Sequence, residues 1–112
     1  MNEDSVDFSS QLRRGVVGPC ILALLSEEPG YGLSLVRRLD SAGGLLTSHG
    51  TIYPALDRLE KASLVESDWD TTTGSRPRRL YRITKAGIEE LERFRTEWHR
   101  FSDSVESLMT RS

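Results

Sequence analysis

The stretch SHGTIYPALDRLEK at residues 48–61 predicts a short helix with two different faces. At ~100° per residue, one mainly apolar side carries Ile52, Leu56 and Leu59 and, just beyond the stretch, Ser63, with Ala55 and Ala62 flanking it. The other face carries Gly50, Tyr53, Pro54, Asp57, Arg58 and Lys61. The first face suits a protein core. The second combines an aromatic hydroxyl, small residues and cations, which favours contact with nucleic-acid phosphates and base edges.

Composition limits the chain to one domain with a local basic patch. A chain of 112 residues with 37% hydrophobic residues can build a single modest core. The net charge of -2 excludes a uniformly basic protein, so any nucleic-acid binding must come from a restricted region. Residues 70–85 hold five cations and one acid, whereas residues 1–10 hold three acids and no cation. The charge is therefore segregated along the chain.

The cysteine content and the apolar runs indicate the environment of the protein. The lone Cys20 excludes an intrachain disulfide and a cysteine-based zinc cluster, which fits a reducing cytoplasm. No apolar run reaches the ~18 residues of a membrane span, and the N-terminus is acidic where a signal peptide would be basic. We therefore expect a cytoplasmic protein with no membrane partner.

The chain begins with an arm and a buried helix. Residues 1–10 are polar and acidic, which predicts a flexible N-terminal arm. From Gln11 to about Ser26, apolar residues cover most of a helix circumference, as is typical of a helix buried on several sides. Gly18 and Pro19 interrupt this pattern, so the regular helix either starts at Pro19 or bends there.

Two further helices follow. The second is predicted from Tyr31 to about Ala42 and ends at a double glycine. The third contains the opening stretch and has two candidate N-caps. Ser48 would cap the full stretch, whereas Thr51 would cap a shorter helix that has Pro54 harmlessly in its first turn.

A β-hairpin and a long helix complete the chain. Residues 64–69 and 78–83 have strand patterns, and the polar loop 70–77 separates them. Thr84 then caps a last helix, in which apolar residues recur at alternating spacings of three and four, as in a coiled coil. This seam consists of Leu91, Phe94, Trp98, Phe101, Val105 and Leu108.

The order helix, helix, helix, hairpin, helix is that of a winged helix-turn-helix. We therefore predict a mainly α fold with a β-hairpin (α-α-α-β-β-α), in which residues 11–84 form the winged-helix domain. Residues 85–112 form a long C-terminal dimerisation helix. In the winged-helix fold the third helix enters the major groove of DNA, and the hairpin, called the wing, lies against the backbone.

The wing carries cations where DNA phosphates would lie. Arg76, Arg78 and Arg79 cluster at or just beyond a flexible loop, where they can neutralise phosphates with little desolvation. The alternatives are a merely solvated loop and an ordinary amphipathic third helix with a solvated outer face. Because the helix and the wing belong to one docking geometry, together they favour DNA binding.

The last helix presents more apolar surface than a small core can cover. The simplest cover is the same helix of a second copy, which gives a homodimer with recognition helices about one DNA turn apart, roughly 34–36 Å. The alternative is a helix that folds back on its own domain. Trp98 suits a dimer core, but a seam that splays can admit a flat hydrophobic molecule, so Trp98 is also a candidate ligand-binding residue.

No pattern in the sequence supports catalysis or a cofactor. His49 and His99 are 50 residues apart, and no spacing matches a metal or nucleophilic site. A redox switch at Cys20 is disfavoured because the apolar run around it should bury the thiol. We therefore predict that the protein is not an enzyme and has no catalytic residues, no metal and no cofactor.

Several motifs spread along the chain form a specific combination. They are Gly50-Thr51-Ile52-Tyr53-Pro54-Ala55-Leu56, Leu59-Glu60-Lys61, Leu64-Val65, Trp69, Arg76-Pro77-Arg78-Arg79, Tyr81-Arg82-Ile83-Thr84 and Gly87. The combination resembles the PadR family of bacterial transcriptional regulators over about residues 12–108. The single long helix after the wing is similar to the short-chain subfamily.

The resemblance implies a homodimeric repressor that binds a pseudo-palindromic operator in double-stranded DNA. It implies that Tyr53 and the start of the third helix face DNA and that the wing follows the backbone. It also implies release by a small hydrophobic or aromatic effector, since Trp98 matches a position at which multidrug-sensing relatives stack flat drugs. Ser63 and Ser75 stand where the family often has glycine, and Leu33 and Leu80 where it often has tyrosine. Ser63 predicts a strained left-handed cap or a different helix end.

The candidate DNA contacts lie in the third helix, in the wing and at Tyr31. The first residues of the third helix are expected to position or read bases, and the arginines are expected to hold phosphates. The set is Tyr31, Ser48, His49, Thr51, Tyr53, Pro54, Arg58, Ser75, Arg76, Arg78 and Arg79. The competing class is a winged-helix protein-interaction module without sequence-specific DNA binding. Its best support is the group of acids near the supposed DNA face, Asp57, Glu60, Glu66 and Asp68.

Overall fold

The computed structural model describes residues 6–43, 51–72, 74 and 76–111. Its elements are α1 (Phe8–Glu27), β1 (Gly30–Tyr31), α2 (Gly32–Asp40), α3 (Ile52–Lys61), β2 (Val65–Asp70), β3 (Arg78–Ile83) and α4 (Lys85–Met109). The helices and the hairpin follow the predicted order, so the mainly α winged-helix fold is confirmed. The strand β1 was not predicted.

Helix α1 begins earlier than its apolar pattern predicts. Asp7 accepts a hydrogen bond from the Ser10 amide at 3.1 Å and caps the helix, which therefore begins at Phe8. The predicted flexible arm at residues 1–10 was thus wrong for residues 8–10. The helix continues through Pro19 instead of starting there, and the missing proline N–H costs one hydrogen bond of the helix.

The core lies where the first three helices meet the sheet. Its side chains are at most 8% exposed, and α1 contributes the largest share. They belong to Val17, Ile21, Leu22, Leu25, Leu35, Val36, Leu39, Ile52, Ala55, Leu56, Val65, Tyr81 and Leu91. Of the face predicted for the core, α3 buries Ile52, Ala55 and Leu56 and partly buries Leu59, whereas Ala62 and Ser63 are exposed.

The sheet has three antiparallel strands in the order β1-β3-β2. Tyr31 of β1 is paired with Leu80 of β3, and on the other side of β3 the hairpin pairs Trp69 with Arg79 and Asp70 with Arg78. Because β1 leads directly into α2, this pairing fixes the start of α2 against the middle of β3.

Helix α3 ends in a left-handed turn at a serine. Ser63 has φ 62°, its amide donates to the Glu60 carbonyl at 2.9 Å, and the next amide, of Leu64, donates to the Leu59 carbonyl at 2.9 Å. This pair of bonds is the Schellman arrangement, which normally has glycine at the position of Ser63. Of the two alternatives that the sequence left open at Ser63, the structure has the left-handed cap.

The start of α4 is bonded to that turn. The Thr84 hydroxyl accepts from the Gly87 amide at 3.0 Å, as predicted for an N-cap, and donates to the Ser63 carbonyl at 2.7 Å. The Thr84 amide donates to the Leu64 carbonyl at 3.1 Å. The end of α3 and the beginning of α4 therefore form one hydrogen-bonded joint. None of the helices in the described part of the chain is long and apolar enough to cross a membrane.

Candidate nucleic-acid interface

The outward face of α3 begins at its first turn. Tyr53 is 49% exposed, and Pro54 and Arg58 are exposed, whereas the neighbouring apolar side chains are buried. Thr51 precedes the first helical residue and Pro54 lies in the first turn, which agrees with the shorter of the two predicted helices. The candidate contacts Ser48 and His49 lie outside the described residues.

The ring of Tyr53 is placed by a glycine of α2. A Cβ added to Gly32 would lie 2.7 Å from Cε1 of Tyr53, closer than carbon atoms approach without displacement. Only a residue without a side chain allows the ring to lie over the beginning of α2. Tyr53 is consequently held beside the start of α2, where it borders a groove.

We call this groove the wing groove. It encloses about 280 Å³ between the start of α2, the first turn of α3 and the sheet. Its lining includes three arginines and four aromatic residues, namely Arg37, Arg78, Arg79, Tyr31, Tyr53, Trp69 and Tyr81. Such a lining offers positive charge beside flat surfaces, which suits a sugar-phosphate backbone.

Tyr31 joins β1 to the loop end of the wing. Its hydroxyl donates a 2.5 Å hydrogen bond to Asp70, which also accepts from the hydroxyl and the amide of Thr72 at 2.6 and 2.9 Å. The Thr72 hydroxyl, followed by the Tyr31 hydroxyl, lowers the pKa of Asp70 to about 2. The guanidinium of Arg78 lies 4.0 Å from the centre of the Tyr31 ring. Tyr31 therefore positions Arg78 at the groove.

Arg79 is bonded to the protein itself. Its Nε donates to the Ser67 hydroxyl at 2.8 Å, and its terminal nitrogen lies 3.7 Å from the Glu60 carboxylate, which accepts from Ser67 at 2.7 Å. The guanidinium is also 5.2 Å from the centre of the Trp69 ring. Glu60 and Arg79 thus connect the wing to α3. Of the other predicted wing residues, Arg76 is exposed, and Ser75 lies outside the described residues.

A second groove lies on the other flank of α3, against α1. It measures about 290 Å³ and is lined by Arg14, Val17, Thr51, Pro54 and Arg58. Arg58 is among the predicted DNA contacts, but Arg14 is not, because the sequence pattern of the first helix indicated only a buried element. The available signal was a cation on the face of α1 that is otherwise apolar.

The predicted dimerisation seam is partly internal. Leu91 is 3% exposed and belongs to the core of its own chain, so its assignment to the dimer surface was wrong. The rings of Phe94 and Trp98 stack with centroids 6.0 Å apart and an interplanar angle of 22°. The remaining seam residues are exposed by 37% or more, namely Trp98, Phe101, Val105 and Leu108.

The exposure of two apolar residues of α1 was not predicted from the sequence. Phe8 and Leu12 are 76% and 61% exposed. Phe8 falls in the predicted arm of residues 1–10, and Leu12 falls in the helix that was predicted to be buried on several sides, so neither is part of the predicted dimer surface. Their exposure adds a second apolar patch outside the core, in addition to that of α4.

No metal site or reactive thiol emerges from the described ranges. They contain no group of three or more histidine, cysteine, aspartate or glutamate residues that could hold a metal ion. Cys20 is half-buried, and burial raises the pKa of its thiol, so the reactive thiolate is scarce near neutral pH.

Comparison with known proteins gives consistent matches. A family model described as the transcriptional regulator PadR-like family matches residues 21–93. A transcriptional regulator of Mycobacterium tuberculosis is 38% identical over 77 residues, which cover 69% of this chain and 70% of that protein.

Solved structures match over most of the chain. A PadR-like transcriptional regulator from Bacillus cereus is 35% identical with a TM-score of 0.78, over 91% of this chain and 99% of that one. A PadR family regulator from Eggerthella lenta is 36% identical with a TM-score of 0.77, over 91% of this chain and 85% of that one.

Proposed function

Because the chain belongs to the PadR-like family of transcriptional regulators, we propose that it is a cytoplasmic, homodimeric repressor that binds a pseudo-palindromic operator. Members of this family are transcriptional regulators and not enzymes, so the prediction that the chain is not an enzyme is confirmed. The observation that carries the proposal is the exposed first turn of α3 beside a groove lined by arginines of the wing and α2.

The groove supports a division of labour among the contacts. Tyr53 projects from the first turn of α3, where side chains of a recognition helix reach base edges in the major groove. Arg76 and Arg78 lie at the wing, where they meet phosphates. Arg79 is paired with Glu60, so its phosphate contact requires either exchange of that partner or sharing of the guanidinium between the two.

The dimer part of the proposal rests on the exposed seam of α4. Trp98, Phe101 and Leu108 are 39%, 55% and 57% exposed, and a second copy of the seam would remove them from water. A two-fold axis through the seam would present two α3 helices to two half-sites, roughly 34–36 Å apart on one face of DNA.

Release by a small hydrophobic effector completes the proposal. The stacked Phe94 and Trp98 rings offer a flat surface at the seam that an aromatic molecule can extend. Titration of a panel of flat aromatic dyes into the protein should quench Trp98 fluorescence in a Trp69→Phe background. Quenching that persists after Trp98→Phe in the wild-type background would indicate another site.

Selection from a random-sequence duplex library tests the DNA part. We expect recovery of an inverted repeat with half-sites about 10 base pairs apart, bound at moderate salt. Arg76→Ala with Arg78→Ala should weaken binding to all duplexes and lower the salt slope by ~0.9 for each lost phosphate contact. Failure to enrich any sequence would favour the protein-interaction module, whose acidic support includes Asp57 and Glu60.

A further inference from the structure

Helix α1 carries a cation where its periodicity calls for a core residue. The side chains of Val17, Ile21 and Leu25 are at most 3% exposed and form the stripe of α1 that faces the core. Arg14 lies one turn before Val17 on the same stripe, because residues three and four apart share a helix face. Phe8 and Leu12 lie on the opposite side. Arg14 therefore lies on the same face of α1 as the core residues, one turn before the first of them.

This stripe leads to the second groove of α3. Arg14 and Arg58 line the groove from two different helices, with Pro54 between them in the first turn of α3. The positive end of the α3 dipole adds to the two guanidinium charges. The groove thus concentrates positive charge from three sources at the end of α3 that the proposed function directs at DNA.

Neither arginine is neutralised within the part of the chain that the structure describes. Arg14 donates to the Ser10 hydroxyl at 3.2 Å, which leaves its charge uncompensated, and no carboxylate of the described residues lies within 4.0 Å of Arg58. Asp57, the acid next to Arg58 in sequence, is paired with Lys61 at 2.9 Å. By contrast, Arg79 across the helix is paired with Glu60. The charge at the second groove is accordingly available to an external anion.

The two grooves lie on opposite flanks of α3. Tyr53 borders the wing groove, whereas the following residue, Pro54, borders the second groove. A helix about 10–12 Å wide nearly fills a major groove about 12 Å wide, so each of its flanks faces one of the two DNA backbones. The wing provides phosphate contacts on one flank of α3. Contacts with the backbone on the other flank must come from other residues.

We propose that the groove between α1 and α3 binds a backbone phosphate of the strand opposite to the one that the wing contacts. Arg14 and Arg58 hold this phosphate, and Arg14 is a DNA-contacting residue outside both the recognition helix and the wing. The inference rests on the proposed function, since it extends the same DNA interface to α1. It assigns to α1 a role in affinity for DNA in addition to its role in the core.

The salt dependence of binding tests the contact. Arg14→Ala should lower the slope of log affinity against log salt by ~0.9 per half-site and weaken binding about eightfold per contact at ~0.1 M salt. The measurement uses the duplex recovered by selection and a random-sequence duplex of equal length, because a phosphate contact is independent of sequence. Arg14→Lys should keep the slope, since it retains the point charge.

A matched control separates a local contact from total charge. Arg100→Ala removes one cation from α4, where the side chain is 79% exposed and lies away from the aromatic seam. We expect the Arg100→Ala slope to equal that of the wild type. Equal slopes for Arg14→Ala and Arg100→Ala would overturn the inference while leaving the proposed function intact. Absence of DNA binding by the wild type would overturn both.

Substitution of single phosphates locates the contact. In duplexes with one methylphosphonate in each half-site, at symmetry-related positions, the penalty of Arg14→Ala should disappear at one such position, because the wild type then also lacks the phosphate charge there. That position should lie on the DNA strand opposite to the strand that the wing contacts. Methylphosphonates at that position should therefore leave the penalty of Arg78→Ala unchanged. A penalty of the same size at every position would show that Arg14 does not contact a defined phosphate.

Discussion

At the scale of single residues, Asp70 shows how the wing is held in place. Its pKa is depressed to about 2, so its stabilising effect is present above the ordinary value of 3.8 and is lost as the pH falls through about 2. At neutral pH the carboxylate accepts from both Tyr31 and Thr72. The anchor of the wing should therefore be insensitive to pH throughout the physiological range.

Removing the tyrosine hydroxyl should shift that pKa. In Tyr31→Phe, Asp70 loses one donor to its charged form, so its pKa should rise from about 2 towards 3.8 without reaching it, because Thr72 still donates. Carboxyl-carbon NMR during an acid titration measures the change directly. Tyr53→Phe, which leaves the bonds to Asp70 intact, is the control. An unchanged Asp70 titration in Tyr31→Phe would contradict the network.

Ser63 offers a second test at the same scale. Its φ of 62° is unfavourable for a residue with a Cβ, and Ser63→Gly should remove this strain and stabilise the fold by about 1 kcal/mol. Ser63→Ala keeps the Cβ and should give no gain. Thermal unfolding of the wild type and the two variants at equal concentration compares their stabilities. A wild type as stable as Ser63→Gly would show that the turn is unstrained.

Sequence alone predicted the character of these residues better than their bonds. A serine at a position that favours glycine indicated either a left-handed cap or a different helix end, and the structure has the cap. The pairing of Arg79 with Glu60 was not indicated, because the two residues are distant along the chain and meet only through the register of β2 and β3. For the same reason the residues 64–69 and 78–83 indicated a hairpin but not which cations it leaves available.

At the scale of elements, the shortest strand was the hardest to foresee. A two-residue strand such as β1 has no measurable alternation, so its pairing with β3 is decided by tertiary contacts. Leu91 illustrates a related limit, because the spacing of the α4 seam does not reveal where the core ends and the exposed surface begins. Helix existence and order, which depend on long periodic patterns, were predicted correctly.

The joint between α3 and α4 can be tested with a single methyl group. A Cβ on Gly87 would lie 2.1 Å from the Leu64 carbonyl oxygen and 2.6 Å from Cγ1 of Ile83, so Gly87→Ala must move α4 away from the turn. We expect a loss of roughly 1–3 kcal/mol in the free energy of unfolding, as for other overpacked sites.

Gly15 provides the control for this substitution. A Cβ on Gly15, inside α1, would meet no atom within 4 Å. Because alanine is the better helix former, Gly15→Ala should stabilise the protein by up to ~1 kcal/mol. Urea denaturation of both variants measures the difference. If Gly87→Ala were as stable as the wild type, the close packing of α4 on Leu64 would not hold in solution.

At the scale of the whole molecule, the joint connects the two proposed interfaces. Thr84 bonds to the carbonyl that follows α3 and also caps α4. A change in the angle at which two α4 helices cross would therefore move both α3 helices relative to each other. An effector at the seam can act on DNA binding only if it prefers one such arrangement over the other.

The role of the dimer can be tested by placing a charge on the seam. Phe101 is 55% exposed in the single chain, and Phe101→Glu would bury two like charges in the proposed interface. We expect a monomer in sedimentation velocity and at least ~100-fold weaker binding to a duplex with two half-sites, because the second contact loses its high effective concentration. His99→Glu adds a negative charge on the side of α4 away from the seam and should remain dimeric. A Phe101→Glu protein that stays dimeric would exclude this seam as the interface, whereas a monomer that keeps full affinity would show that each α3 binds DNA without help from a second copy.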